Sequence, residues 1–255
     1  MRYNKIDGLR GLTLISMIAY HACWDLVYLF NADMPWYQGQ AGFLWQQSIC
    51  WSFILLSGFS LGLGSHPVRR GITVSLAGLL VTFVTILFMP DDRVVFGVLT
   101  FLGCAMILCG LLRRWLERVP CLIGMIVSFL LFLIWYPINR GYIQIFLQPD
   151  SRHLLHLAPV SCHLPKTWYH GLVMTFFGFM DEDFFSTDYF SLLPWLFLFL
   201  TGFFIYQVME QYHLMVILQK RLIIPLEWLG RHSLAVYLLH QPLVYGLLLG
   251  MEALL

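Results

Sequence analysis

The chain has 255 residues and a formal net charge of +1; 59% of it is hydrophobic and only 11% is charged. Soluble domains carry about 25% charged residues, so this composition excludes a soluble globular protein and points to one built for lipid. No nucleic-acid partner is expected from so neutral a chain.

A bilayer core about 30 Å thick takes roughly 20 apolar residues in a helix. Seven such runs occur in chain order, at 11–30, 43–64, 71–89, 94–112, 121–136, 190–209 and 233–251. A thirteen-residue piece, 168–180, is too short to span and reads as an interfacial or re-entrant helix. The expected fold is therefore an all-α integral membrane protein of about seven transmembrane helices, in a single domain covering 1–255.

Cytoplasmic connections hold the excess of Lys and Arg. With a cytoplasmic N-terminus, Arg2, Lys5, Arg10, Arg69, Arg70, Arg113, Arg114, Arg118, Lys220, Arg221 and Arg231 lie inside. Only Arg93, Arg140, Arg152 and Lys166 lie outside, and the C-terminus falls outside as well. The acids Asp33, Asp91, Asp92, Asp150, Asp181, Glu182, Asp183 and Asp188 gather on the outer side. The first run is a full span without a small-residue cleavage pattern after it, so it is expected to stay attached.

One connection is long, 138–189, and is expected to cap the outer side of the bundle. Its His153, His156, Cys162, His163 and His170 match no metal-ligand spacing, and no metal is expected there. The six cysteines include no CxxC and imply no structural disulfide.

The first run, DGLRGLTLISMIAYHACWDL at 7–26, carries charge at depth. At about 100° and 1.5 Å per residue, Arg10 and His21 differ by about 20° around the axis and about 16 Å along it. Asp7 and Asp25 lie within about 60° of Arg10. One polar stripe thus runs inward from the cytoplasmic end. A charge at the bilayer centre costs at least about 2.5 kcal/mol, so the stripe must line protein or a wet cavity. His21 and Asp25, spaced i,i+4, are close enough to touch, which would orient the imidazole. The bland reading is a hydrogen-bonded pair that only joins helices.

LGRHSLAVYLLHQPL at 229–243 forms a second polar helix: Ser233, Tyr237 and His240 share a face, with Arg231 and His232 at its cytoplasmic start. STDYFSLLPWL at 186–196 is a third polar cluster, leading into the sixth run, in which Pro194 and Trp195 set the entry angle and an interfacial anchor and Asp188 is a candidate for an outer acceptor pocket.

IDGLRG…MIAYHACWDL, WSFILLSGFSLGLG, FGVLTFLG, DYFSLLPWL and GRHSLAVYLLHQPL occur in that order. Together they resemble the transmembrane acyltransferase superfamily, in the bacterial branch grouped with heparan-alpha-glucosaminide N-acetyltransferase. The resemblance implies transfer of an acetyl or other acyl group from cytoplasmic acyl-CoA to a hydroxyl or amine of an envelope glycan or similar acceptor. It places the chain in a bacterial cytoplasmic membrane. Heparan itself is not the expected acceptor.

On this reading Arg10, Arg69, Arg70 and Arg231 bind the donor's phosphates, with Arg113 and Arg114 as further candidates. His21 acts as general base or accepts the acyl group itself, and Asp25 orients it. Asp7, Ser233, Tyr237, His240 and Asp188 line the cavity. Two other readings compete: a polar-solute transporter using the same cavity, and a haem held by His21 and His240. A homodimer is compatible with the composition, since a lipid-facing seam leaves little trace in it.

Overall fold

A computed structural model describes residues 3–149, 157–220 and 223–252. They are mostly helical: α1 (Asn4–Tyr28), α2 (Pro35–Gln38), α3 (Gln40–Leu63), α4 (Pro67–Phe88), α5 (Val98–Leu111), α6 (Arg113–Leu116), α7 (Cys121–Trp135), α8 (Leu172–Phe177), α9 (Trp195–Gln211), α10 (Ile224–Arg231) and α11 (Ser233–Glu252). Arg2, Asp150, Arg152, His153, His156 and Arg221 lie outside the described residues.

Three stretches are long and apolar enough to cross a bilayer: Pro67–Phe88, Cys121–Arg140 and Ser233–Glu252. The other predicted runs fall short for separate reasons. α5 starts only at Val98, because Val94 to Gly97 are not helical; its 14 residues rise about 21 Å, less than a bilayer core. α9 begins at Trp195, directly after Pro194, and reaches 17 residues. α1 is long enough at 25 residues but is diluted by its polar stripe.

The long connection corrects the all-α expectation. It holds an antiparallel pair of strands, β1 (Tyr142–Pro149) and β2 (Leu157–His163), with Tyr142 opposite His163 and Ile145 opposite Val160. Ile143 and Ile145 place two β-branched residues on one face with Gln144 on the other, a strand pattern too short to stand out in so apolar a chain. The predicted helix at 168–180 shrinks to the six residues of α8. Gly171 (φ +82°) and Gly178 (φ +120°) bound it, and residues in that backbone region end a helix.

Two compact units form, Met1–Leu56 with Met209–Leu255, and Ser57–Val208. In the first, α1 packs along α10 and α11. The Leu226 carbonyl occupies the place a Cβ on Gly11 of α1 would take, and the Asp7 carbonyl the place a Cβ on Gly230 of α10 would take, where it would also lie 3.1 Å from the Arg10 Cβ. Small residues at these two points let the backbones meet. Leu14, Met17 and Ile49 are buried beyond the crossing, packed against Trp45, Leu229 and Tyr237. Trp45 Nε1 donates to Ser16 Oγ at 2.8 Å and Tyr37 Oη to the Tyr20 carbonyl at 3.2 Å, so α2 and α3 fix the middle of α1.

Replacing Gly230 with Val forces a branched side chain into the Asp7 carbonyl. It is expected to destabilise the protein by about 1–3 kcal/mol or more, read as a lowered thermal unfolding midpoint in detergent. Gly246→Ala, where an added Cβ meets nothing, is the matched control and should leave the midpoint in place.

In the second unit α4 and α5 meet at another glycine contact, with a Cβ on Gly71 only 2.8 Å from the Gly103 carbonyl. Phe101, Phe132, Phe199 and Phe203 are fully buried, and the Ser128 and Thr201 hydroxyls bond across α7 and α9 at 3.0 Å. The connection is closed by side chains rather than by sheet. Tyr169 Oη donates to the Ile138 carbonyl at 2.8 Å and Tyr189 Oη to the Thr175 carbonyl at 2.6 Å. Asp181 accepts from the Gly171 N–H at 2.6 Å and the Asp183 N–H at 3.0 Å, and these bonds hold its carboxyl below the usual aspartate range.

Candidate functional site

The first unit gathers the residues that carry chemistry at mid-helix depth. On α1, Leu9, Leu12 and Ile15 are exposed while Asp25 is fully buried, so the aliphatic side faces outward and the polar stripe inward. α11 supplies the facing groups. The ring of His21 meets the ring of His240 edge to face, with centroids 4.9 Å apart. Tyr237 packs on the other side of His240, at 5.4 Å between centroids.

His240 is oriented by its own helix. Its Nδ1 lies 2.5 Å from the Tyr237 carbonyl oxygen. A carbonyl can only accept, so Nδ1 carries the hydrogen, and in a neutral ring the lone pair is then on Nε2. That Nε2 is buried and has no hydrogen-bond partner among the described residues. Pro242 inside α11 interrupts the helical ladder two residues further on.

Asp25 is held by a residue that the sequence reading passed over. Gln241 Nε2 donates to Asp25 Oδ1 at 2.6 Å. The expected contact between His21 and Asp25 is replaced by this bond across the helix pair; the i,i+4 spacing gives proximity along a face but not the rotamer. Gln241 was legible only as the neighbour of His240, one position off the predicted polar face. Asp25 Oδ2 and Gln241 Oε1 have no partner among the described residues, like His240 Nε2. These are buried polar atoms on the facing sides of α1 and α11, where such atoms ordinarily find a partner.

At the other end of α1, Arg10 Nη1 pairs with Asp7 Oδ1 at 3.1 Å. Arg231, at the end of α10, pairs through Nη2 with Glu227 Oε2 at 3.4 Å, and Glu227 is only 2% exposed. The backbone of Gly230, beside Arg231, meets α1 at Asp7 and Arg10, so the α1–α10 crossing brings these two arginines to one end of the unit. Ser233 opens α11.

The remaining predicted residues belong to the second unit. Asp188 Oδ2 accepts from the Val98 N–H at 3.1 Å, and Ser186 Oγ from the Val95 N–H at 2.9 Å, so Asp188 caps the start of α5. Arg70 Nη1 lies 3.5 Å from the Ser60 carbonyl. Arg69 lines an open cleft with Arg113 and Arg114. Among the described residues no group of three His, Cys, Asp or Glu is placed to hold a metal ion.

A helical chain with membrane-length apolar helices and a facing pair of histidines, His240 buried and His21 half-buried, fits a membrane-embedded transferase. Residues 2–242 match the family model of the heparan-alpha-glucosaminide N-acetyltransferase catalytic domain, and the chain belongs to that family. The family makes it an acetyltransferase, and the apolar helices make it an integral membrane protein. Searches of curated proteins and of solved structures give no significant match.

Proposed function

We propose that the protein moves an acetyl or other acyl group from acyl-CoA, bound at the arginine-rich cytoplasmic side, to a hydroxyl or amine of an envelope glycan or similar acceptor. The proposed setting is a bacterial cytoplasmic membrane crossed about seven times, with the N-terminus inside. The observation that carries the reading is the contact between His21 and His240, with the open Nε2 of His240 beside it, in a chain of an acetyltransferase family.

In the proposed reaction the acceptor oxygen or nitrogen attacks the thioester carbonyl while His21 takes its proton. The carbon–sulfur bond breaks, and the CoA thiolate leaves with the proton that His21 gives back. The intermediate alternative, an acyl group resting on His21, uses the same two residues in two steps. His240 presents its Nε2 lone pair to the same space. Asp25 acts through Gln241, fixing the residue next to His240, and is a positioning residue on this geometry. The rings of His21 and His240 are in direct contact, leaving no slot for a porphyrin plane between them, so the haem reading finds no support.

Arg10 is the proposed anchor for the donor's phosphates, with Arg231 at the same end of the first unit. A guanidinium meets phosphate with charge-assisted, two-pronged hydrogen bonds. Arg10→Ala is expected to weaken binding of CoA to the purified protein about tenfold, measured by isothermal titration. Unchanged affinity removes Arg10 from the donor site. Glycan profiling of a deletion strain tests the acceptor class, and an acyl group missing from an envelope glycan is the expected result.

A further inference from the structure

At the arginine-rich ends of α4 and α5 lies an open cleft of about 1130 Å³. His66, Arg69 and Thr73 form one wall; Arg113, Arg114 and Glu117 form the other. The charges are not equivalent. Arg113 is engaged, its Nε donating to Glu117 Oε1 at 2.7 Å and its Nη1 to the Gly64 carbonyl at 2.9 Å. The guanidinium groups of Arg69 and Arg114 have no partner among the described residues. With Glu117 balancing Arg113, the cleft holds two uncompensated positive charges.

The cleft continues into an apolar track. Ile72 lines it, and Leu76, Leu79 and Phe83 follow on the same face of α4 at i+4, i+7 and i+11, exposed by 61%, 57% and 65%. Beside the other wall Trp115 is 67% exposed, with the Arg118 guanidinium 5.1 Å from its ring centre. Aromatic rings and arginines in this arrangement sit at the headgroup level of a bilayer. A molecule with a phosphate and long acyl chains uses both halves, the phosphate between Arg69 and Arg114 and the chains along α4. A soluble nucleotide or free phosphate uses only the first.

We propose that this cleft binds the headgroup of an anionic phospholipid, with its acyl chains on the exposed face of α4. Basic pockets between membrane helices take lipid phosphates by this chemistry.

The test is native mass spectrometry of the delipidated full-length protein titrated with phosphatidylglycerol, with phosphatidylcholine, inorganic phosphate and CoA as comparisons. Phosphatidylglycerol is expected to remain bound, phosphatidylcholine is not, and equimolar phosphate or CoA is expected not to displace the lipid. R69Q/R114Q should weaken phosphatidylglycerol binding about thirtyfold. R69K/R114K, which keeps both charges, should retain most of the binding, and K166Q should bind as the wild type does. Both side chains are exposed, and R114Q alone is expected to show a several-fold loss if the double variant does not elute as a folded protein.

Equal binding of phosphatidylcholine, or unaltered binding by R69Q/R114Q, overturns the proposal. Displacement by CoA also overturns it and gives the cleft to the acyl donor. His21→Ala should bind the lipid normally, so loss of acyl transfer and loss of this site are separately visible.

Discussion

Replacing His21 with Ala is expected to lower acyl transfer by about 10²–10⁴-fold, the range a positioned general base contributes. The reason lies in the surroundings of the ring. His21 sits on the inward side of α1 with its ring against His240, and no hydrogen bond to a protein group occupies it among the described residues. A histidine whose role is to join helices would be tied to a neighbour, as Trp45 of α3 is tied to Ser16 of α1. The measurement is CoA release from acetyl-CoA by purified protein with envelope glycan extract. His21→Ala should still elute as a folded protein and bind CoA, because the donor phosphates are assigned to the other end of α1. A variant that turns over at the wild-type rate would leave His21 as a packing residue.

The second large effect is expected at His240. His240→Phe keeps an aromatic ring in the contact with His21 and Tyr237 but removes Nε2, so packing is largely preserved while the open lone pair is lost. Transfer should fall about 10²-fold, mainly in kcat, with the affinity for CoA retained. If the two histidines act as one unit, the double variant should be little worse than His21→Ala alone. Multiplying losses would mean independent roles. Asp25→Asn gives a smaller loss on this reasoning, since the carboxylate reaches the pair only through Gln241, and Gln241→Glu, which sets two carboxylates against each other, should do more harm than Gln241→Ala.

Much of the site was legible from helical spacing. The eleven-residue interval between Arg10 and His21 placed them on one side of one helix, and Leu9, Leu12 and Ile15 do face the opposite way. Ser233, Tyr237 and His240 were read as a second inward seam, and His240 is buried. What spacing could not give was the pairing of α1 with α11, which depends on tertiary packing and brings His21 onto His240. Nor could it choose between His21 and Gln241 as the partner of Asp25, because two side chains of comparable reach compete for one carboxylate.

The outer connection was read less well. Gly171 and Gly178 end α8 through positive φ, a backbone property that residue type permits but does not announce, since most glycines here are helical. The strands at Tyr142–Pro149 and Leu157–His163 were hidden by a composition in which almost every segment is apolar. Asp188, a candidate for an outer acceptor pocket, accepts from the Val98 N–H at the start of α5, a tertiary contact that residue spacing does not announce.

The most direct test is to follow a labelled acetyl group across the membrane. Sealed inverted vesicles containing the protein and envelope glycans are given acetyl-CoA labelled in the acetyl carbons on their outer, originally cytoplasmic face. Acyl transfer predicts free CoA outside and an equal amount of label on glycan inside, both lost in His21→Ala vesicles. Label arriving equally well in His21→Ala vesicles, or acetyl-CoA left intact by wild-type protein with its natural glycans present, would contradict it.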